Sequence, residues 1–305
     1  MKKENTMEIT GFEGKKIHVH EWLDVEAPTG VVQIVHGMAE HASRYDEFAR
    51  FLNNNGFVVI ADDHRGHGET DPDTPGYATG DMFADTVRDE GIITDYYKQK
   101  FPGIKYVILG FSYGSFLTQS YIGKYSDKID GAIIAGSCYK KDVEVYGGTF
   151  VAFFADLFGL EKKQAKLIER ASFGAYEKQT ESGDWLSVDE NNNAAYHGDP
   201  QCGFVCSYRF YSDFFRGLRS LYTGRYIDGL RKDLPILLAS GADDPVGEKG
   251  EGVKKLYSFY TEKAGMKDVE LVLFPNSRHE FLNEKADRDF KWGTVLDFLK
   301  KVVAL

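Results

Sequence analysis

The stretch from Val107 to Ser115 constrains this chain more than any other. An apolar run, Val107-Ile108-Leu109, ends in Gly-x-Ser-x-Gly, and a helix-like segment, Phe116 to Lys124, follows at once. Strand, tight turn and helix in immediate succession lift a serine hydroxyl above the edge of a sheet. The turn must hold Ser112 in a strained backbone conformation where neighbouring side chains would collide. Gly110 and Gly114 remove those side chains, and Ser115 is small enough to stay clear. The Tyr113 N–H and the start of the following helix then face the same space as the Ser112 hydroxyl. The pattern alone occurs by chance in many chains. Its weight comes from its placement and from partners far downstream.

Other apolar runs lie at Gly30 to Val35, Phe57 to Ala61, Gly131 to Gly136, Pro235 to Gly241 and Val269 to Phe274. The first three are too uniformly apolar for a strand with one wet face and suit a parallel sheet covered on both sides, and the last two resume the alternation of strand and helix. Helical spacing at Tyr45 to Asn54, Phe83 to Lys100, Gly252 to Ala264 and Asp287 to Val303 supplies the covering layers. Ahead of them, Met7 to Phe12 and Lys16 to Leu23 read as a hairpin, with Ile17 to Trp22 alternating like a half-exposed strand. The expected fold is α/β, a doubly wound, mostly parallel sheet with an N-terminal hairpin.

The alternation breaks from about Ser137 to Arg231, where the sequence is helical or loop-like and rich in Phe, Tyr and Trp. The expected organisation is a core formed by 1–136 and 232–305, with 137–231 as a helical cap insert. The insert leaves the sheet at the carboxyl end of a strand, so its helices should lie over the edge that carries Ser112. Gly148 to Gly159 is apolar on nearly all sides. Either it packs as a helix on its neighbours, or Phe153, Phe154 and Phe158 line a pocket for an apolar chain.

Composition narrows the partners. A net charge of −10 argues against nucleic acid. The 3 cysteines, Cys138, Cys202 and Cys206, make no disulfide framework and no zinc motif, which suits buried free thiols in a reducing compartment. No apolar run approaches a membrane span, and no apolar signal segment follows the basic start. The expectation is a cytoplasmic protein whose contact with a lipid surface, if any, is transient; no preference for an oligomeric state emerges.

A serine hydroxyl is a poor nucleophile unless a base sits within hydrogen-bond reach and an acid orients that base. In a parallel sheet such groups hang from the carboxyl ends of strands. After Pro235 to Gly241 come Asp243 and Asp244, adjacent candidates for the acid; after Val269 to Phe274 comes His279, the candidate base. The other histidines fit poorly. His36 is placed to shape the turn presenting the Met38 N–H, and His64 and His67 to hold loop backbone. His18, His20, His41 and His197 are expected at the surface or in packing. Two N–H donors are needed for an oxyanion, and Tyr113 and Met38 occupy the required places.

Val35-His36-Gly37-Met38-Ala39-Glu40-His41 with Arg44-Tyr45, Asp63-His64-Arg65-Gly66-His67-Gly68-Glu69-Thr70, and Gly110-Phe111-Ser112-Tyr113-Gly114 together resemble the monoacylglycerol lipase and lysophospholipase group of serine α/β-hydrolases. That group overlaps the serine aminopeptidase-like superfamily. The resemblance covers roughly 15–136 and 235–300. It implies the α/β-hydrolase fold, an esterase acting on single-acyl-chain lipids, no cofactor or metal, and a mobile helical cap. The family's acid lies three residues beyond the glycine that ends its strand, which carries over to Asp244; nucleophile, base and oxyanion donors carry over to Ser112, His279, Met38 and Tyr113. Where the group commonly has Gly-His-Ser-Met-Gly-Gly, this chain has Phe111, Tyr113 and Ser115 at the variable places.

Two other functions remain open on sequence. An aminopeptidase of the same superfamily would use insert carboxylates to hold a substrate ammonium, for which Glu169, Glu177, Glu181, Asp184, Asp189 and Glu190 are the candidates. A small-ligand receptor on a silent hydrolase fold would normally have lost one of Ser112, Asp244 or His279, and this chain keeps all of them.

Overall fold

Strands form where the apolar runs fall, and the strand order decides what they bring together. The computed structural model describes residues 5–140, 159–180 and 183–305. Its strands are β1 (Asn5–Thr10), β2 (Lys16–Trp22), β3 (Gly30–Val35), β4 (Phe57–Asp62), β5 (Lys105–Phe111), β6 (Gly131–Ala135), β7 (Ile236–Gly241) and β8 (Val269–Phe274). They make one 8-stranded sheet in the order β1-β2-β4-β3-β5-β6-β7-β8. The β1–β2 and β2–β4 pairings are antiparallel and the others parallel. β5 therefore lies inside the sheet, with its carboxyl end beside those of β3 and β6.

Described helices are α1 (Asp46–Asn54), α2 (Met82–Lys100), α3 (Tyr113–Tyr125), α4 (Lys166–Glu177), α5 (Glu190–Gly198), α6 (Tyr208–Ser220), α7 (Gly224–Gly229), α8 (Glu251–Ser258) and α9 (Arg288–Ala304). Alternate residues of a strand point to opposite faces, which explains why the runs are apolar throughout. Val31, Ile60, Ile108 and Leu238 join a core with Phe83 of α2, Leu117 of α3 and Leu256 of α8. Val32, Val59, Leu109 and Leu237 join a second core with Phe48 of α1 and Leu299 of α9. This is the expected doubly wound α/β-hydrolase architecture. α3, wedged against β5 and α2, is buried along Tyr113 to Ile122. α2 starts where Asp81 caps it, accepting from the N–H groups of Phe83 and Ala84.

Two expectations needed adjustment. β2 is less exposed than that: it lies between β1 and β4, and although Lys16 is exposed and His18 half-buried, His20 and Glu21 are buried in paired form. His20 lies 3.1 Å from Asp63, and Glu21 accepts from the Tyr97 hydroxyl and Lys100 at 2.7 Å each. Alternation marked where polar groups fall but not whether partners cover them. The helix expected over 252–264 instead runs only to Ser258 and continues as a π turn, Phe259–Lys263. The wider turn lets the consecutive Phe259 and Tyr260 both face the interior.

Between β6 and β7 the described residues are helical or irregular, with an isolated bridge between Gln164 and Ser207. Cys138 and Cys206 are buried, whereas Cys202 is only partly buried. No described helix is long and apolar enough to cross a membrane.

Candidate active site

At the junction of β5 and α3 the backbone of Ser112 takes φ 53° and ψ −118°. This conformation is costly for a side chain bearing a Cβ and persists only where the surroundings enforce it. Here they do. A Cβ on Gly114 would fall 1.9 Å from the carbonyl oxygen of Val35, and one on Gly110 would fall 2.3 Å from that of Gly114. The two glycines let α3 pass hard against the end of β3, while the Ser112 N–H stays tied to the Ala135 carbonyl at 3.0 Å.

The hydroxyl so presented lies 2.8 Å from Nε2 of His279. On the other side of the ring, Nδ1 lies 2.9 Å from Oδ2 of Asp244. Asp244, fully buried, also accepts from the Val246 N–H at 2.8 Å and the Ser240 hydroxyl at 3.2 Å. Asp243 is exposed and reaches the base loop only through its backbone N–H to Ser277. Geometry therefore separates the two adjacent acids. The His279 ring lies between Phe111 and Trp185, with centroids 4.9 and 5.1 Å away. Burial pulls the imidazole toward the neutral form, but the charge and hydrogen bond of Asp244 outweigh it and leave its pKa above the ordinary value.

Met38 and Tyr113 flank the same space; both line the cavity that contains Ser112 and His279. Tyr113 begins α3, where the first N–H groups lack intrahelical acceptors. The loop bearing Met38 is fixed from several directions. The Gly37 N–H donates to Oε1 of Glu40 at 2.6 Å, and the Tyr45 hydroxyl donates to the same oxygen at 3.0 Å. Glu40 pairs with Arg44, whose other donors fork onto Glu280 at 2.8 and 2.7 Å. Burial alone would push the Glu280 carboxyl up, but the Arg44 guanidinium holds it below the usual range. A charged chain thus links the Met38 loop to the residue next to His279.

The histidines of the two glycine-rich loops are supports, and their hydrogen bonds assign their protons. Nε2 of His36 accepts from the His64 N–H at 3.1 Å, so its Nδ1 donates to the Gly37 carbonyl at 2.7 Å. Nε2 of His67 accepts from the Ala39 N–H at 3.1 Å, so its Nδ1 donates to the Arg65 carbonyl. Both rings are neutral. Burial lowers their pKa values, well below the ordinary value for His36 and to about 3 for His67, with the nearby His64 adding to the effect. His64 stacks on His36 at 3.8 Å between centroids, and its nitrogens face Asp62 and the His36 carbonyl. For His64, burial is outweighed by Asp62, and the pKa rises.

These neutral rings predict an acid-labile fold. Below about pH 6.5 an unfolded chain protonates His36 and His67 while the folded one does not, at a cost approaching about 1.4 kcal/mol per pH unit for each. His64 works in the opposite sense, its contribution being complete below that value and lost as pH rises through its raised folded pKa. His279, also raised, acts in the same sense as His64, and both contributions are already complete below about pH 6.5, so His36 and His67 set the trend and the urea midpoint should fall steadily between pH 6.5 and 4.5. His67→Gln should flatten that decline; an equally steep decline in the variant would refute the assignment.

Two described clusters gather three metal-type donors each: His41, Asp199 and Cys202, and Asp62, His64 and Glu90. In the first, His41 and Asp199 bond to each other at 2.9 Å, and burial pushes the Cys202 thiol far above the range where a thiolate forms. In the second, His64 spends both nitrogens on protein oxygens, and burial with the Asp62 charge pushes the Glu90 carboxyl well above its ordinary range. Both donor sets fit internal hydrogen bonding better than an ion.

The cavity over Ser112 measures about 910 Å³, toward the large end for a small-molecule site. Its walls include Ile168 and Phe173 of α4 and Tyr211, Phe214 and Phe215 of α6. Phe153, Phe154 and Phe158 lie outside the described residues. Sequence reasoning missed the α6 wall as a specific surface, although its period of aromatic residues was the available signal. It also missed the Glu40–Arg44–Glu280 link, signalled only by charges flanking Met38 and His279.

Comparison with known proteins places this geometry in context. The family described as Hydrolase_4, serine aminopeptidase S33, matches residues 26–286. A monoacylglycerol lipase of Mycolicibacterium smegmatis is 25% identical over 279 residues, covering 90% of both chains. The human monoglyceride lipase is 30% identical over 106 residues, 35% of this chain and 34% of that one. A thermostable carboxyl esterase from Bacillus coagulans superposes with a TM-score of 0.88 at 24% identity, covering 99% of this chain and 100% of the other. A soluble variant of Saccharomyces cerevisiae monoglyceride lipase gives 0.76 at 20% identity, covering 99% and 96%. At these identities the solved structures share the fold.

Proposed function

Because the chain belongs to the serine aminopeptidase S33 family of α/β-hydrolases, we propose that it is a carboxylic ester hydrolase acting through an acyl-enzyme on mono-acyl lipid esters. The observation that carries this reading is the continuous Ser112–His279–Asp244 hydrogen-bond relay opening into a large cavity with apolar walls. Ser112 Oγ attacks the acyl carbonyl carbon as His279 Nε2 takes its proton, and the carbonyl oxygen becomes an oxyanion facing the Met38 and Tyr113 N–H groups. The intermediate collapses, the alcohol leaves with the proton held by His279, and the acyl group remains on Ser112. Water then attacks with His279 as base, and the carboxylic acid departs as Ser112 recovers its proton. Asp244 fixes the ring orientation and stabilises the imidazolium throughout.

In this reading, residues 137–231 act as a cap whose α4 and α6 hold the acyl chain. The naming of relatives as monoacylglycerol lipases supports a glycerol-type or similar head group. Leu167, 71% exposed at the cavity edge, suits transient contact with a lipid surface. Glu169 and Glu177 also line the cavity, and this favours a second reading as a peptidase that holds a substrate ammonium.

The test is kcat/KM for p-nitrophenyl esters from C2 to C14 beside aminoacyl anilides. Activity should climb with chain length, by at most roughly fourfold per methylene, until the cavity is full. Phe215→Ala should move the optimum to a different length. A flat profile with anilide turnover would replace the lipid-ester reading by the peptidase one.

A further inference from the structure

Glu284 belongs to no part of the relay, yet it is fully buried in the segment between β8 and α9. Its Oε2 pairs with Lys291 at 2.7 Å, and that lysine is only 2% exposed. Its Oε1 accepts three hydrogen bonds. One comes from the N–H of Arg278, the residue before His279, at 3.1 Å. The other two come from the Val188 N–H at 3.1 Å and the Ser187 hydroxyl at 3.2 Å. A single oxygen thus holds the peptide that aims the base and the peptide that covers it.

The covering stretch from Asp184 to Asp189 meets the base loop at further points. The Glu280 N–H donates to the Leu186 carbonyl at 2.7 Å, and Arg278 donates to the Asp184 carbonyl at 2.6 Å. Trp185, in the same stretch, lies against the His279 ring. A buried ion pair is a poor source of stability, since well-packed apolar residues serve as well or better. Removing one partner is nevertheless strongly destabilising to what the pair organises. Stability alone therefore gives little reason for a charge here, whereas a carboxylate oxygen can collect several N–H and O–H donors at once.

We propose that Glu284, ion-paired with Lys291, is a positioning residue that latches the 184–189 cover to the His279 loop. Cover and base then form one body, and His279 is aimed at Ser112 only when the cover is seated. The proposal rests on the ester-hydrolase reading for its kinetic consequence, and on geometry alone for the latch.

The experiment compares Glu284→Ala, Glu284→Gln and Lys291→Met with wild type. Melting temperatures establish folding, and the rate of inactivation by diisopropyl fluorophosphate reports activation of Ser112. Ester kinetics are followed across pH, and hydrogen exchange is read on peptides covering 184–189 and 276–284. Glu284→Ala should lower kcat and the inactivation rate about 100-fold with KM changed far less, move the acid limb of the pH profile, and deprotect both peptides together. Glu284→Gln, which keeps an acceptor oxygen, should recover about tenfold of that loss. If Glu284→Ala fails to fold, Glu284→Gln and Lys291→Met carry the same comparison against wild type. Folded variants with wild-type pH profile and inactivation rate would overturn the latch, as would deprotection of one peptide without the other. A wild type that neither hydrolyses esters nor reacts at Ser112 would instead sink the functional reading, and joint deprotection would still decide the latch.

Discussion

Replacing Ser112 with alanine is expected to lower ester turnover by a factor on the order of 10⁶ while leaving the fold intact. The size follows from the unit to which the serine belongs. Without Oγ there is no acyl-enzyme, and His279 and Asp244 have nothing to activate except water at a poor distance. What survives comes from oxyanion stabilisation and binding. The fold should tolerate the change because alanine meets the same backbone demand at φ 53° that serine already meets. The side chain gives up only its bond to His279. Labelling with a fluorophosphonate followed by peptide mapping supplies the check. Adduct on a different serine, or undiminished hydrolysis by the folded variant, would remove Ser112 from its proposed role.

The second large effect belongs to Asp244. Asparagine there should reduce kcat by about 10⁴-fold, whereas asparagine at Asp243 should change it by less than about threefold. An amide placed 2.9 Å from His279 Nδ1 can donate to that nitrogen, stabilising the tautomer whose Nε2 carries hydrogen. Such a ring cannot accept the Ser112 proton. Loss of the carboxylate also removes the interaction that raises the His279 pKa, so residual activity should persist to lower pH than in the wild type. Asp243 contributes only its backbone to the base loop. Parallel pH–rate profiles of both variants decide the matter, and a severe defect confined to Asp243→Asn would reverse the assignment.

The residues that made the fold legible were those with a strong periodic or steric demand. Val31 to Val35, Phe57 to Ala61 and Ile236 to Ala239 are apolar on both faces, and that pattern has one natural home in a covered parallel sheet. Gly110 and Gly114 flank a serine at a place where only glycine fits, as the 1.9 Å approach to Val35 shows. His279 stood out because it follows the carboxyl end of the last strand, β8. Asp243 and Asp244 could not be separated by pattern, since adjacent residues after a strand differ only in which way the turn points them. The turn buries one and exposes the other.

Charged residues were the hard part. Arg44 and Glu280 are 236 positions apart, and nothing local distinguishes their fork from two surface charges. Glu284 and Lys291 stand 7 apart, a spacing that could equally describe an exposed face, yet both are buried. Periodicity reports where apolar side chains point; it is silent on whether a charge has found its counterpart elsewhere in the chain.

The order of strands has a consequence for the life of the molecule before it is finished. Ser112 and His279, the proposed nucleophile and base, are separated by 167 residues, and Asp244 and His279 follow the last two strands, β7 and β8. As the chain leaves the ribosome, β3, β5 and α3 can assemble the elbow while the downstream half is still being translated. On the proposed mechanism, Ser112 in such a nascent chain is chemically silent. It has neither a proton acceptor nor a covered pocket until β7 and β8 have docked, the loop carrying His279 has closed over it, and the lysine of α9 has come to rest against Glu284. On that mechanism, hydrolytic power arrives only with the final tertiary contacts.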